Sequence, residues 1–335
     1  MKVDAALVTT ALAGVPAQAR EFEDAGYDGL YTFEGPHDPF FPLLLAGEHT
    51  QRIELTTAIA IAFARNPMTL ANIGYDLQVA SKGRFNLGLG TQIKPHIEKR
   101  FSMPWSKPAA RMREMVLAIR AIWATWQHGT PLDFRGEFYR HTLMTPFFNP
   151  GPNPYEPPRI FLAGVGPLMT EVAGEVADGF MIHPFATEKS IRSITLPALE
   201  RGAGRAGRTL ADIEIAFPLM IAVGETEAEF ERALTGIRSQ LAFYGSTPAY
   251  KVVLDEHGWG DVQPELNRLS KQGQWPQMAE LITDEMVDAF VVQGTPDDIA
   301  TKVLARYGDV VQRVSFNAPY QVEPDRWARA LAGFR

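Results

Sequence analysis

Short β-rich runs that alternate with longer helical patterns constrain this chain more than any other feature. The runs are Val3–Val8, DGLYTF (28–33), IELTTAIAI (53–61), RFNLGLG (84–90), RIFLAG (159–164), DGFMIHPF (178–185), IEIAFPLMIAVG (213–224) and VVQRVSF (310–316). Most are apolar along nearly their whole length. Such strands are buried on both faces, as in a parallel sheet covered by helices. Helical patterns fill the gaps. Pro16–Ala25 has Pro near its start and Gly26 just past its end, the usual asymmetry of helix termini. Residues 108–127 carry apolar positions at helical spacing. GTPDD predicts a helix start with Thr295 as N-cap and Pro296 at the first helical position. Eight β/α steps fit an α/β fold of the (β/α)8 TIM-barrel type. An open doubly wound sheet is the alternative, but no G-x-G-x-x-G follows the first strand.

Two regions interrupt the rhythm. LDFRGEFYRH (132–141) reads as a hairpin around Gly136, and FFNPGPNPYEPP (147–158) as loop. Residues 243–284 read as a helical insertion, and a further short strand is expected near 288. The chain is expected to be one barrel domain over 1–335, with 243–284 a lid-like insertion in it. At 335 residues the chain suits a single barrel with additions. Its net charge of −7 (32 basic, 39 acidic) and lack of basic runs argue against a nucleic-acid partner. No apolar stretch approaches the ~18 residues of a membrane span. The start, MKVDAALVTT, reads as a strand and not a signal peptide, so the cytoplasm is the expected location. Without cysteine, disulfides, thiolate metal sites and a cysteine nucleophile are excluded.

In a barrel, chemistry collects at the C-terminal ends of the strands. Gly88 and Gly90 end the fourth run; either the strand merely stops there or something comes very close to the backbone. AGVGPLMT (163–170) leads from a strand into a helix through two glycines and a proline, a turn suited to a phosphate or simply a tight βα connection. FEGPHDPF (33–40) offers Glu34, His37 and Asp38; either His37 works as an acid–base group, or Asp38 caps the next helix with His37 a bystander. His37, His96 and His183 all lie near strand ends, but no spacing is diagnostic of a metal, and none is expected. The aromatic residues at these ends, such as Phe33, Phe63 and Trp105, suit either the wall of a flat ligand or core.

Taken in order, DGLYTFEGPHDPF, LTTAIAIAFARNPMTLA, SKGRFNLGLGTQ, RMREMVLAIRAIW, PRIFLAGVGPLMTEVAGEVADGFM and GTPDDIATKVL resemble the bacterial luciferase-like monooxygenase superfamily. Within it the chain is most similar to the oxidoreductases that depend on coenzyme F420. The resemblance implies a barrel with an inserted region over its mouth, and a flavin or deazaflavin bound there. Gly88 and Gly90 would let a planar ring approach the backbone, and Thr91 would offer it a hydrogen bond. Thr57-Ala58-Ile59 would hold a non-proline cis peptide behind the ring, making Ala58 and Ile59 cofactor residues. Ala163, Gly164, Val165 and Gly166 would hold the phosphate. Several relatives place His directly after the acid at the end of the second strand. Here Glu34 is followed by Gly35, so His37 is the expected acid–base group and Glu34 a contact to the cofactor's edge.

The resulting expectation is an F420-dependent oxidoreductase moving hydride to or from a fairly apolar small molecule. Lys94, Lys99 and Arg100 would meet the acidic tail of F420, unless they are plain surface charge. The alternatives are an FMN-dependent two-component monooxygenase and a flavin-binding protein without turnover. By resemblance, a homodimer and a separate reductase for the cofactor are also expected.

Overall fold

The structure, a computed structural model, describes residues 1–8 and 11–335. Eight strands form the barrel: β1 (Lys2–Ala6), β2 (Gly29–Thr32), β3 (Glu54–Thr57) and β4 (Phe85–Gly90), then β5 (Arg159–Gly164), β6 (Gly179–Ile182), β7 (Glu214–Val223) and β8 (Arg313–Asn317). Each pairs in parallel with the next, and β8 returns to β1 with Val3 opposite Val314. The sheet is closed, so the barrel holds and the open doubly wound sheet does not. Eight helices cover it: α1 (Val15–Ala25), α2 (Phe40–His49), α3 (Pro67–Ala80), α4 (Pro108–His128), α5 (Pro167–Val176), α6 (Leu196–Arg205), α7 (Ile299–Tyr307) and α8 (Pro324–Ala332). Gly26 closes α1 at φ 96°, a left-handed position glycine takes without strain.

Strand periodicity divides each strand between two environments. The residues turned outward, Leu30, Leu55, Leu87, Ile160, Phe180, Ile215 and Val314, are all buried under the helices. At roughly 1.5–3 kcal/mol for each such side chain, this shell is the main adhesive of the barrel. The inward residues are different. Lys2, Glu54, Arg159, Glu214 and Arg313, each the first residue of its strand, form an ion network at the barrel's N-terminal end. Barrel interiors are usually filled by branched apolar residues; here charge closes one end and a cavity occupies the other.

The third run does not stay a single strand. It breaks after Thr57 and resumes as Ala60–Ile61 against β4. The Ala58–Ile59 peptide between the two pieces is cis, within the stretch where the resemblance places it. Two local expectations are corrected. The extra strand is Val292–Gly294, beside the end of β7, whereas residue 288 belongs to the helix Asp284–Phe290. Thr295 does not cap a helix: its carbonyl accepts from the N–H groups of Asp298 and Ile299 (3.2 and 3.0 Å), which makes 295–298 a turn and starts α7 at Ile299.

The hairpin around Gly136 is present, pairing Phe134–Arg135 with Arg140–His141. The Glu114 carboxylate holds its turn, accepting from the N–H groups of residues 137–139. Between β7 and α7 the chain is helical: Glu227–Gly245, then Lys251–Glu256, Val262–Lys271, Trp275–Glu280 and Asp284–Phe290. These helices share an apolar cluster that includes Leu241, Leu254, Leu266 and Met278. Phe185, just beyond β6, stacks on Phe290 at 4.6 Å and joins that cluster to the barrel.

Candidate functional site

A cavity of about 870 Å³ opens at the C-terminal end of the strands and descends inside the barrel as far as Asp4 and Arg313. That volume is in the range of small-molecule and cofactor sites. Ala58, Ile59, Gly90 and Thr91 form part of its wall, and Ala163, Gly164, Val165 and Gly166 another part. The eight residues expected to hold a cofactor therefore face one space.

The two glycines of β4 serve a different contact from the expected one. A Cβ on Gly88 would lie 1.7 Å from the Thr57 carbonyl oxygen and 2.7 Å from Met181 Cε. A Cβ on Gly90 would meet Ile59 Cγ1 at 2.8 Å. Their smallness admits the displaced β3 backbone and the Ile59 side chain, not a ligand directly. Thr57 fastens that close approach: its Oγ1 donates to the Gly88 carbonyl (2.7 Å) and accepts from the Gly88 N–H (2.9 Å). Gly166 is the open one. Nothing lies within 4 Å of where its Cβ would stand. It is the N-cap of α5 and supplies no side-chain cap to the first-turn N–H groups. Uncapped helix N–H groups beside open space on a cavity wall fit a phosphate, and the walls between this turn and Ile59 fit a flat ring system.

Glu34 and His37 are not on the cavity wall. The Glu34 side chain, only 6% exposed, accepts from the Ile61 N–H (2.7 Å) and pairs with Arg65 (2.6 Å). Its own N–H donates to the Ile59 carbonyl (3.1 Å). Arg65 also pairs with Asp38 (2.9 Å) and lies over the Phe40 ring. Glu34 therefore braces the Ala58–Ile61 segment from behind. Asp38 accepts from the Phe40 N–H (2.9 Å) in the turn ahead of α2, but the N-cap of that helix is Pro39 and no side chain caps it. His37 is exposed. Of the three basic candidates Lys94 lines the cavity, while Arg100 turns away to the Gly35 carbonyl (2.7 Å).

The histidine that does face the cavity is His183, just past β6. Its Nδ1 accepts from the Phe185 N–H (3.0 Å). Nδ1 therefore keeps its lone pair, and the neutral ring carries its proton on Nε2. Burial pushes the imidazole down to about 4, so the ring is neutral at ordinary pH. Tyr250 and Tyr244 pack on it with ring centroids 4.3 and 4.9 Å away. Burial pushes the Tyr250 phenol up to about 12. Sequence reasoning placed His183 near a strand end but gave it no role, and missed both tyrosines. The signal lay in strand parity, since His183 follows Met181 on the inward face. Among the described residues no group of three His, Asp or Glu side chains is arranged to hold a metal, and no helix is long and apolar enough to cross a membrane.

The family model described as luciferase-like monooxygenase matches residues 1–313. The chain belongs to the luciferase-like monooxygenase family. It is 55% identical to an uncharacterised protein of Mycobacterium tuberculosis, over 94% of this chain and 92% of that one. It is 30% identical to a putative coenzyme F420-dependent oxidoreductase of the same organism, over 83% and 82%. The structure of the coenzyme F420-dependent tetrahydromethanopterin reductase of Methanopyrus kandleri superposes with a TM-score of 0.78 at 20% identity, covering 100% of this chain and 97% of that one. At that identity the likeness speaks for the fold. Members of the family are oxidoreductases and monooxygenases, and this chain is an enzyme of that kind. The family assignment agrees with the closed barrel.

Proposed function

We propose that the enzyme binds coenzyme F420 in the barrel mouth and transfers hydride between it and a fairly apolar small molecule. The observation that carries this reading is the convergence of an open helix N-terminus at Gly166 and the Ala58–Ile59 and Gly90–Thr91 strand ends on one cavity. The F420-dependent relative supports this choice of cofactor. When bound, the deazaflavin supplies two electrons as hydride and reacts poorly with oxygen.

The protein supplies position and hydrogen bonds. Backbone N–H groups at the start of α5 hold the phosphate, and Lys94 meets the acidic tail. Glu34 and Arg65 keep the Ala58–Ile61 wall in place behind the ring. His183 offers a fixed N–H to an acceptor on the ligand. Trp105, Phe33 and Tyr250 give the remaining space its apolar walls. Residues 243–284 act as a lid-like insertion in a single barrel domain, and Tyr244 and Tyr250 bring it to the site. The enzyme works as a homodimer and receives reduced cofactor from a separate reductase.

Titration with F420 and with FMN, followed by tryptophan fluorescence, tests this. Trp105 on the cavity wall makes quenching a local report. Saturable F420 binding without FMN binding supports the reading. FMN binding alone overturns it in favour of a two-component monooxygenase. F420 binding with no turnover of any hydride acceptor or donor identifies a carrier.

A further inference from the structure

The cavity does not end on apolar side chains. Its floor is Asp4, Arg313, Ser315 and Tyr31, all facing into the barrel. Asp4 and Ser315 are opposite one another across β1 and β8. Tyr31 stands two residues beyond Gly29, which is opposite Asp4 on β2. Gly29 makes room for this arrangement, since a Cβ there would lie 2.4 Å from Asp4 Oδ1 and 2.6 Å from Arg313 Nη1. Ser315 and Tyr31 line the same floor, and burial together with the Asp4 charge raises the Tyr31 phenol above its ordinary value. Asp4, Ser315 and Tyr31 therefore share the floor of the cavity, and Tyr244 of the insertion is among its walls.

The charges around Asp4 do not balance locally. Arg313 serves three carboxylates: Asp4 (2.7 Å), Glu54 (2.5 Å) and Glu214 (3.1 Å). Glu54 and Glu214 have further cations in Lys2 and Arg159 at the outer edge of the network. Asp4, further in, has only its share of Arg313. Burial, together with the Glu54 and Glu214 charges, outweighs Arg313 and lifts the carboxyl to about 6. Arg313 Nη1 donates to Oδ1; Oδ1 can accept in both protonation states of the carboxyl, and the bond is stronger to the carboxylate.

We propose that Asp4 is the acid–base group of this enzyme and exchanges a proton with the substrate through Ser315 and Tyr31. The proposal rests on the hydride-transfer reading and narrows its substrate to a carbonyl compound and the corresponding alcohol. In the reducing direction the carbonyl carbon gains hydride from the reduced deazaflavin, and the C=O π bond breaks. The oxygen gains a proton passed along Tyr31 and Ser315, whose own protons are replaced from Asp4 Oδ2. The deazaflavin is oxidised by two electrons, the carbonyl is reduced to an alcohol, and Asp4 is left a carboxylate beside Arg313. Alcohol oxidation runs the same transfers in reverse.

The test compares the whole protein with Asp4→Asn, which keeps the shape and an acceptor for Arg313. Infrared difference spectra taken below and above pH 6 read the carboxyl directly, without cofactor. The expected result is a protonated-acid carbonyl band that titrates in wild type, shifts promptly on exchange into heavy water, and is missing in D4N. Reduction of cyclohexanone by reduced F420 is the second readout. D4N is expected to bind F420 as wild type does, to react slower by on the order of 100-fold, and to lose the fall in rate as pH rises through Asp4's titration. A wild-type spectrum without the band, or a band unchanged in D4N, overturns the assignment. So does a D4N enzyme that reduces the ketone at the wild-type rate and with its pH profile. Failure of wild type to bind F420 overturns the hydride-transfer reading instead, and shows itself separately in the titration.

Discussion

Replacing Gly88 by alanine is the sharpest test of how the site is built. The new Cβ would stand 1.7 Å from the Thr57 carbonyl oxygen, where ordinary contact begins near 3.4 Å, so β3 and β4 must part by about 1.7 Å. The obstacle is backbone, and no rotamer change relieves it. Parting the strands also breaks the two buried hydrogen bonds between Thr57 Oγ1 and Gly88. Each is worth about 1 kcal/mol, and overpacking a tight core adds about 1–3 kcal/mol. Gly88→Ala should therefore cost roughly 3–5 kcal/mol. Urea denaturation measures this as a lower midpoint at unchanged slope. The displaced wall should also weaken F420 binding in the fluorescence titration. Two controls separate packing from ligand contact. Gly90→Ala pushes on the Ile59 side chain, which can turn, and should cost about 1–2 kcal/mol. Gly166→Ala meets no protein atom within 4 Å, so its stability should stay within about 0.5 kcal/mol of wild type while cofactor binding weakens. A G88A protein within about 1 kcal/mol of wild type would refute the account of β4.

Two further outcomes follow from the ionisable groups. His183 titrates near 4 in the folded protein and near the ordinary 6.5 when unfolded, so the unfolded chain binds more protons between those values. Its neutral burial favours folding fully above about pH 6.5, and that advantage is lost as pH falls toward 4. Each pH unit in that interval is worth about 1.4 kcal/mol, which sets a ceiling of about 3 kcal/mol. Urea midpoints at pH 7 and pH 5 should show the loss, and His183→Gln should flatten the slope. Arg65→Met removes the cation between Glu34 and Asp38 and leaves the 6%-exposed Glu34 charge with only the Ile61 N–H. It should destabilise by about 3 kcal/mol and weaken F420 binding, checked by the same melts and titrations.

The barrel was legible because its strands and helices differ in period and its connections carry clear punctuation. Pro16 and Gly26 bracket α1, and Gly166 and Pro167 start α5. The wall of the site was legible for a related reason: strand ends that need glycine or a turn are visible as composition. Partnership was not. Whether Gly88 faces a ligand or the Thr57 carbonyl depends on where β3 bulges. Whether Glu34 faces the cavity or Arg65 depends on a residue 31 positions away. Thr295 looks like a cap in isolation, yet the carbonyl that receives the next N–H groups makes a turn.

The floor of the cavity was hidden by averaging. A strand such as β8, Arg313–Asn317, reads as apolar overall because Val314 and Phe316 face the helices. Its inward residues, Arg313, Ser315 and Asn317, are all polar and all reach the cavity. β1 behaves alike, with Lys2 and Asp4 inward and Val3 outward. Stability does not explain this choice. Buried ion pairs often add nothing over well-packed apolar residues, because desolvation offsets their attraction. An apolar layer would seal the barrel at least as well as Lys2, Asp4, Glu54, Arg159, Glu214 and Arg313 do. What an apolar layer would lack is a group able to hold or release a proton below the reacting centre. A cavity that descends past its apolar walls to end on Asp4 has the floor that the proposed proton transfer calls for.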